Sequence, residues 1–367
     1  MQGIELEREA LRRLPAIVAE LFDEPASEHL LVPEASDAGI DAVVDAGGRR
    51  WLVELKATGS PGVVAAAHEH LAAFAERDVL TALVVPYMTP AGAKVADERR
   101  LNWIDLSGNA HLRDEQLHVW VQGRPNAFAG RGRPSSAFAP KSSRVTRRLL
   151  LDPGRWWRQK DLSEHTDLDT GRVSRVVRRL GDEQLLQHDG PLLRPRDRDL
   201  LLDAWADEYR FDRHDIVTGH MTGGGVELAR DLDAQLEQAG IEHAFTGLPA
   251  AWAIEPFARF RLNSVYVAGD PRDAADVVGL RRNERGANVQ LIGPDDHGVF
   301  DGSTEIDDIP TVSPVQAYLD LLNLPERARE AAQQLRAEGR LWDARVTSPV
   351  TVRVTAPRSS SRSRPPA

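Results

Sequence analysis

Asp41, Glu54 and Lys56 are the residues whose types and spacing come closest to a reaction centre. Between the two carboxylates run Gly47 and Gly48, a pair suited to a two-residue hairpin turn that needs positive φ. Closing the turn there pairs Ala46 with Arg49, and the same register sets Asp41 directly opposite Glu54. Lys56, two residues on, shares their face, while Ala42, Val44, Trp51, Val53 and Leu55 form the apolar reverse face. Two carboxylates held face to face repel unless a cation sits between them. Oxygen donors with room for water suit Mg²⁺ or Mn²⁺. A lysine beside such an ion can position or deprotonate water, or stabilise charge on a phosphate. The bland reading is an exposed strand face with a Glu–Lys pair.

A second group of residues is suited to polyanions. Helical spacing over Thr170–Asp182 gathers Val173, Val176, Val177 and Leu180 on one face, leaving Arg172, Ser174, Arg175, Arg178 and Arg179 on the rest. A recognition helix needs this division, with its apolar side against a bundle and arginines toward phosphates and guanine edges. Asp167 or Asp169 supplies its N-cap.

These side chains need frames. Residues 1–123 alternate between element types: a helix over Leu6–Leu21, strands around Ile40–Asp45 and Arg50–Ala57, and a helix over Val63–Arg77. A strand at Val79–Val85, a helix at Pro90–Arg99 and short strands at Asn102–Asp105 and His118–Val121 follow, giving an α/β domain with a small mixed sheet. The carboxylate, E-x-K and helix order resembles the PD-(D/E)XK restriction-endonuclease-like superfamily. The resemblance implies Asp41, Glu54 and Lys56 as catalytic residues, with Asp41 and Glu54 holding the metal. Some members of that superfamily add a carboxylate from the first helix, a place that Glu9 or Glu20 could fill here. Ile40 stands where the motif's proline would be.

Residues 124–143, rich in Pro, Gly, Ser and Arg, read as an exposed basic linker in which Phe128 and Phe138 can dock on a neighbouring domain. Residues 144–210 then run helix, helix (Gln159–Thr166), helix (Thr170–Asp182) and a hairpin turning at Asp189-Gly190, with Arg194, Arg196 and Arg198 at and beyond it. This order resembles bacterial winged helix-turn-helix regulators, with Arg194 added to the DNA-binding set. Trp156 and Trp157 read as core rather than as base-stacking residues.

Past a break at Gly223-Gly224-Gly225, a long amphipathic helix (about Val226–Ala239) leads to His243-Ala-Phe-Thr-Gly247-Leu-Pro-Ala-Ala251. That stretch resembles the opening of the minimal nucleotidyltransferase fold. The strand where that fold bears its D-x-D reads Asn263-Ser264-Val265, so two-metal nucleotide transfer is not expected. Further on, Ser313-Pro-x-Gln316-x-Tyr318-x-Asp320-Leu321 leads into a helix, a turn and another helix. Together with the basic module this resembles antitoxins of the AbiEi kind from type IV toxin–antitoxin systems, over about residues 144–342. The resemblance implies promoter binding, autoregulation and a cognate toxin as partner; an N-terminal nuclease-like domain is outside the usual arrangement. Residues 211–344 form this third domain, and the basic tail 345–367 is expected to be disordered.

Composition narrows the classes. The 367 residues contain no cysteine, which excludes disulfides, Cys-ligated zinc, iron–sulfur clusters and thiol catalysis and fits a reducing cytoplasm. No apolar run is long enough to span a bilayer, and the start lacks a signal-peptide core. The net charge of −10 hides segregation: residues 124–198 carry 17 basic and 9 acidic groups, whereas residues 1–123 carry 11 and 20. A basic middle between acidic flanks suits one module that touches a polyanion. The eleven histidines are scattered, with His68 and His70 spaced wrongly for one helical face, and the glycine run lacks the Lys-Ser/Thr of a phosphate loop. The expectation is a cytoplasmic, multidomain α/β and α+β protein that binds double-stranded DNA as a regulator or antitoxin-like factor. Two alternatives are a Mg²⁺-dependent DNA endonuclease aimed by its winged helix, and a pure interaction protein whose acidic C-terminal domain holds a basic toxin.

Overall fold

A computed structural model describes residues 4–23, 40–77, 79–129, 136–256, 259–282, 285–325 and 327–342. The chain divides into two compact units, Met1–Arg213 and His214–Ala367.

Unit 1 opens with α1 (Ile4–Phe22), β1 (Ala42–Ala46), β2 (Arg49–Leu55), α2 (Pro61–Leu71), β3 (Leu80–Val85), α3 (Pro90–Glu98), β4 (Asn102–Asp105), β5 (Ala110–Arg113) and β6 (His118–Val121). The six strands form one mixed sheet in chain order, with β2, β3 and β4 parallel and the outer strands antiparallel. Leu6, Ala10, Leu14 and Val18 recur every four residues on α1, and this stripe packs on Ala42, Val44, Trp51 and Val53. The residues between them in β2 and β3 point the other way, where Leu52 and Leu83 meet Val64, Leu71 and Val95 of α2 and α3. Both sheet faces are therefore covered along β2 and β3.

Gly47 and Gly48 adopt φ of 61° and 68°, and Ala46 pairs with Arg49, so the hairpin closes in the expected register. A Cβ on Gly47 would also strike the Phe22 ring at 2.5 Å. The helix expected over Val63–Arg77 is instead α2 followed by a 3-10 segment, Ala72–Arg77. Strand β5 was not anticipated: it is four residues long, and its outward member is a buried histidine rather than an apolar residue.

The unit continues with α4 (Ser143–Leu151), β7 (Trp157–Arg158), α5 (Gln159–Thr166), α6 (Thr170–Asp182), β8 (Leu186–Asp189), β9 (Leu192–Pro195) and α7 (Arg198–Glu208). The three strands form a small sheet in the order β7-β9-β8. Asp167 ends α5 in the left-handed region, and Asp169 caps α6 by accepting the Arg172 amide at 2.8 Å. Helix α7 packs on α2, α3 and α4, and Asp207 accepts the Ala91 amide at the start of α3. Gly62 of α2 sits so close to the end of α6 that a Cβ there would lie 2.4 Å from the Glu183 carbonyl oxygen. The α/β sheet and the helical module are thereby locked together. The segment read as an exposed linker is anchored at both described ends: Phe128 packs on the α1 core under Arg13, and Ala137 and Phe138 are buried. Residues 130–135 lie outside the described residues.

Unit 2 comprises β10 (Asp215–His220), α8 (Gly225–Gln238), β11 (His243–Thr246), α9 (Gly247–Ile254), β12 (Asn263–Val267), α10 (Pro271–Val277), β13 (Arg281–Arg282), β14 (Val289–Gly293), β15 (Thr304–Ile306), β16 (Ile309–Thr311), α11 (Pro314–Leu321) and α12 (Ala328–Ala337). Its sheet is mixed, in the order β13-β10-β14-β12-β11-β16-β15. Leu228, Leu232 and Leu236 of α8 and Ala274 and Ala275 of α10 pack on Phe245, Val265 and Leu291. Helix α9 packs against α11 and α12. Among the described residues no helix is long and apolar enough to cross a membrane.

Candidate functional site

Glu54 lies on the sheet face covered by α2 and is 2% exposed. Its Oε1 meets Lys56 Nζ at 2.5 Å and His70 Nδ1 of α2 at 3.1 Å. Glu54 thus already faces a cation of the protein itself, the Lys56 ammonium. Asp41 is exposed; its amide donates to the Val53 carbonyl and its Oδ2 accepts the Leu55 amide at 2.7 Å. Its carboxylate therefore caps the β2 backbone between Glu54 and Lys56 rather than standing free across the ladder. Glu54 Oε2 is buried without a hydrogen-bond partner among the described residues. That oxygen and Asp41 are donors a hard divalent ion can use, and water would complete most of its shell. No group of three or more His, Asp or Glu side chains that could hold a metal ion occurs among the described residues. Neither Glu9 nor Glu20 reaches this face, because α1 packs on the opposite one, where Glu9 pairs with Arg12 and Arg13 and Glu20 with Arg124.

On α6 the four valine and leucine positions are buried, and Ser174, Arg175 and Arg178 are exposed. The six basic-face candidates are not equivalent. Arg179 donates to Glu183 at 2.7 Å and Arg172 lies 3.8 Å from Asp169, so both are partly spent on their own helix. The Arg172 amide, more than any other neighbour, also holds the Asp169 carboxyl below its ordinary range. Arg194 of β9 bonds Gln187 at 3.3 Å and lies 4.3 Å above the Trp156 ring. Arg175 and Arg178, three residues apart on one helix face, make no hydrogen bond or ion pair among the described residues. Trp157 is fully buried, as its reading as core requires, whereas Trp156 is half-buried beneath Arg194.

In unit 2 the motif around Gln316 and Asp320 is structural. Ser313 caps α11, and the wholly buried Asp320 accepts Thr246 Oγ1 at 2.5 Å, Tyr266 OH at 3.1 Å and Gln316 Nε2 at 2.8 Å. Tyr266 OH also meets His214 Nε2 at 3.1 Å. This network ties α11 to β11 and β12. Gly247, at φ 61°, turns β11 into α9. Asn263, at the start of β12, is fully buried with both amide atoms unpartnered among the described residues.

Residues 194–340 match the family model described as "Transcriptional regulator, AbiEi antitoxin, Type IV TA system". That match starts in the last two residues of β9 and covers α7 and most of unit 2, about two fifths of the chain. Over those residues the chain is similar to domains of the antitoxin and transcriptional-regulator type. No curated protein and no solved structure matches the chain.

One further group has no counterpart in the sequence pattern. Trp103, His111 and Trp120 are direct register partners across β4, β5 and β6. Burial holds His111 below the ordinary histidine range, helped by nearby Arg113. The missing signal was β5 itself: without that strand the three rings have no common row. Nearby, Asp105 is wholly buried at the end of β4. Burial pushes its carboxyl up, although the amides of Met88, Ser107 and Asn109 and the Asn109 side chain all donate to it.

Proposed function

We propose that this protein is a DNA-binding transcriptional regulator of the antitoxin kind, with residues 144–210 as its winged helix and α6 as the recognition helix. The observation that carries the reading is Arg175 and Arg178: unpaired, exposed and adjacent on a helix whose opposite face is entirely buried. The helix–strand–helix–helix–hairpin order and the three-stranded β7-β9-β8 sheet support it, since they hold such a helix proud of its bundle. Duplex phosphates would meet Arg175 and Arg178 first. Arg172, Ser174, Arg179 and Arg194 flank them and would join after exchanging intramolecular partners for phosphate or base edges. The antitoxin-type segment supports a toxin protein as second partner. Unit 2 would then serve as a degenerate nucleotidyltransferase-like platform, its metal strand opening on Asn263 in place of a carboxylate. Gel-shift titration of the full chain against the DNA upstream of its own gene tests the reading. Wild type should bind, and Arg175→Ala with Arg178→Ala should weaken binding at least several-fold at moderate salt. Equal binding by both proteins would remove α6 as the reading element.

A second reading rests on Glu54 Oε2, a buried carboxylate oxygen with no hydrogen-bond partner among the described residues. In this reading the first domain is nuclease-like, and Asp41 and Glu54 hold Mg²⁺ or Mn²⁺. The ion, when bound, supplies charge stabilisation at a phosphate and a more acidic water. Lys56 would leave Glu54 to face the phosphate or the attacking water. Cleavage of plasmid DNA with Mn²⁺, lost in Lys56→Ala, is the result that supports it. No cleavage of any DNA form tried would leave the regulator reading alone.

A further inference from the structure

We propose that the row Trp103–His111–Trp120 and the cavity beside it form a binding site for an unpaired nucleobase. The cavity, about 490 Å³, lies between this row and α3, with Tyr87, Lys94 and Arg124 on its rim. That volume suits a base with its sugar. Trp103 is 2% exposed and His111 4%, yet Trp103 Nε1 and His111 Nε2 have no hydrogen-bond partner among the described residues. Two orphaned polar nitrogens on one wall are costly unless something pairs with them. Indole nitrogen only donates. His111 Nδ1 lies 3.8 Å from Asp97 Oδ1, an oxygen that Arg113 Nη1 bonds at 3.1 Å; in the neutral tautomer with its proton on Nδ1, the side of that carboxylate, Nε2 is an acceptor. A donor and an acceptor then stand on neighbouring strands, the arrangement that a base edge, with acceptor beside donor, complements. A purely apolar ligand would leave both nitrogens unpaired.

Trp120 supplies the stacking face. It lies on edge strand β6, is 55% exposed, and stacks on His111 at 4.6 Å and 28°, with His118 edge-on at 6.1 Å. Its ring covers the histidine, so a base reaches the two nitrogens by displacing Trp120, whose face then covers the base. The rim cations are already paired, Lys94 with Asp203 at 3.5 Å and Arg124 with Glu20 at 2.5 Å. Asp97 adds a negative charge on the α3 side. The site is therefore built for the base rather than as a phosphate cradle. It does not depend on α6, which meets duplex DNA with a different surface.

The test uses the full chain with Arg175→Ala and Arg178→Ala in every arm, so that phosphate binding by α6 does not mask the site. Probes are a labelled single strand of about ten nucleotides, a strand of the same length made of abasic sites, and the four deoxymononucleotides. Anisotropy should show single-strand binding that falls about ten-fold in Trp120→Ala and about as far with the abasic strand. His111→Phe keeps a ring under Trp120 but removes Nε2, and should weaken binding several-fold while the melting temperature stays near that of the parent. Quenching of tryptophan emission by mononucleotides would identify a free nucleotide as the ligand. Strand binding without such quenching would identify an unpaired base within DNA. Equal affinity for intact and abasic strands, unchanged in Trp120→Ala, together with no mononucleotide quenching, would overturn the proposal and leave duplex binding by α6 untouched.

Discussion

Glu54 and Trp120 lie in one cross-strand row. Glu54 is the register partner of Leu83, Leu83 of Trp103, Trp103 of His111, and His111 of Trp120. Four strand spacings of about 4.8 Å set the two some 19 Å apart on the same sheet face. Helices α2 and α3 roof the Glu54 half, and the row ends in the open on β6. A charged centre and an aromatic one thus share a rigid platform without touching, and substitutions at the two ends should act additively.

At the charged end, Glu54→Gln sets an amide against the Lys56 ammonium and removes the carboxylate facing His70. The metal-free protein should lose about 1–3 kcal/mol, read from the urea midpoint, because a buried ion pair is broken from one side. Millimolar Mn²⁺ should raise the wild-type melting temperature, and Glu54→Gln should abolish the rise. Lys56→Ala should keep it, since lysine is no ligand. Absence of any shift in wild type would remove the metal from this site.

Duplex affinity should fall steeply with salt, as arginines that neutralise phosphates release counterions. Replacing both Arg175 and Arg178 should make the slope of log K against log salt shallower by up to about 2, near 0.9 for each phosphate no longer neutralised. Arg179→Ala should change the slope less, because its guanidinium is held by Glu183. A larger effect from Arg179 than from Arg178 would show that the helix reads DNA with another face.

Unit 2 offers a contrast between two buried polar residues. Asp320→Ala strands the Thr246, Tyr266 and Gln316 donors and should cost about 3 kcal/mol or more in chemical denaturation. Asn263→Val removes an amide that satisfies nothing, so stability should hold or rise by about 1 kcal/mol. Labelled-nucleotide transfer should stay at background in both wild type and variant. Transfer that survived Asn263→Val would mean that the metal strand lies elsewhere.

His111 gives unit 1 a pH dependence. Burial lowers its folded-state pKa beneath the ordinary 6.5, so below 6.5 the unfolded chain takes a proton that the folded chain refuses. The unfolded state then binds more protons, and stability falls as the pH drops from about 6.5 through the lowered value. His111→Phe should flatten that part of the curve of melting temperature against pH. An unchanged difference between pH 7.5 and pH 5 would show that the imidazole is solvated in the folded state.

Much of this architecture is written in local pattern. The Gly47-Gly48 turn, the pairing of Ala46 with Arg49, the α6 span Thr170–Asp182 and its buried valines follow from turn chemistry and period alone. These depend on neighbours within a few residues, and sequence spacing encodes them directly. It could not reveal pairings between distant segments, such as Glu20 with Arg124. Arg172 and Arg179 have their acidic partners three and four residues away on the same helix, a local spacing, but that Arg194 lies over Trp156 and beside Gln187 depends on how the hairpin folds back. The chemistry of Glu54 changed for the same reason: His70 comes from α2, packed over the strand, and turns a carboxylate that looks open in the sequence into a buried, partly neutralised one. The row from Glu54 to Trp120 joins residues from five strands, and its existence depends on sheet order and register, which are set by the packing of α1, α2 and α3 on the two faces. Sequence determined the elements and the chemical types they carry; tertiary packing decided their company, because burial and pairing arise between segments far apart along the chain.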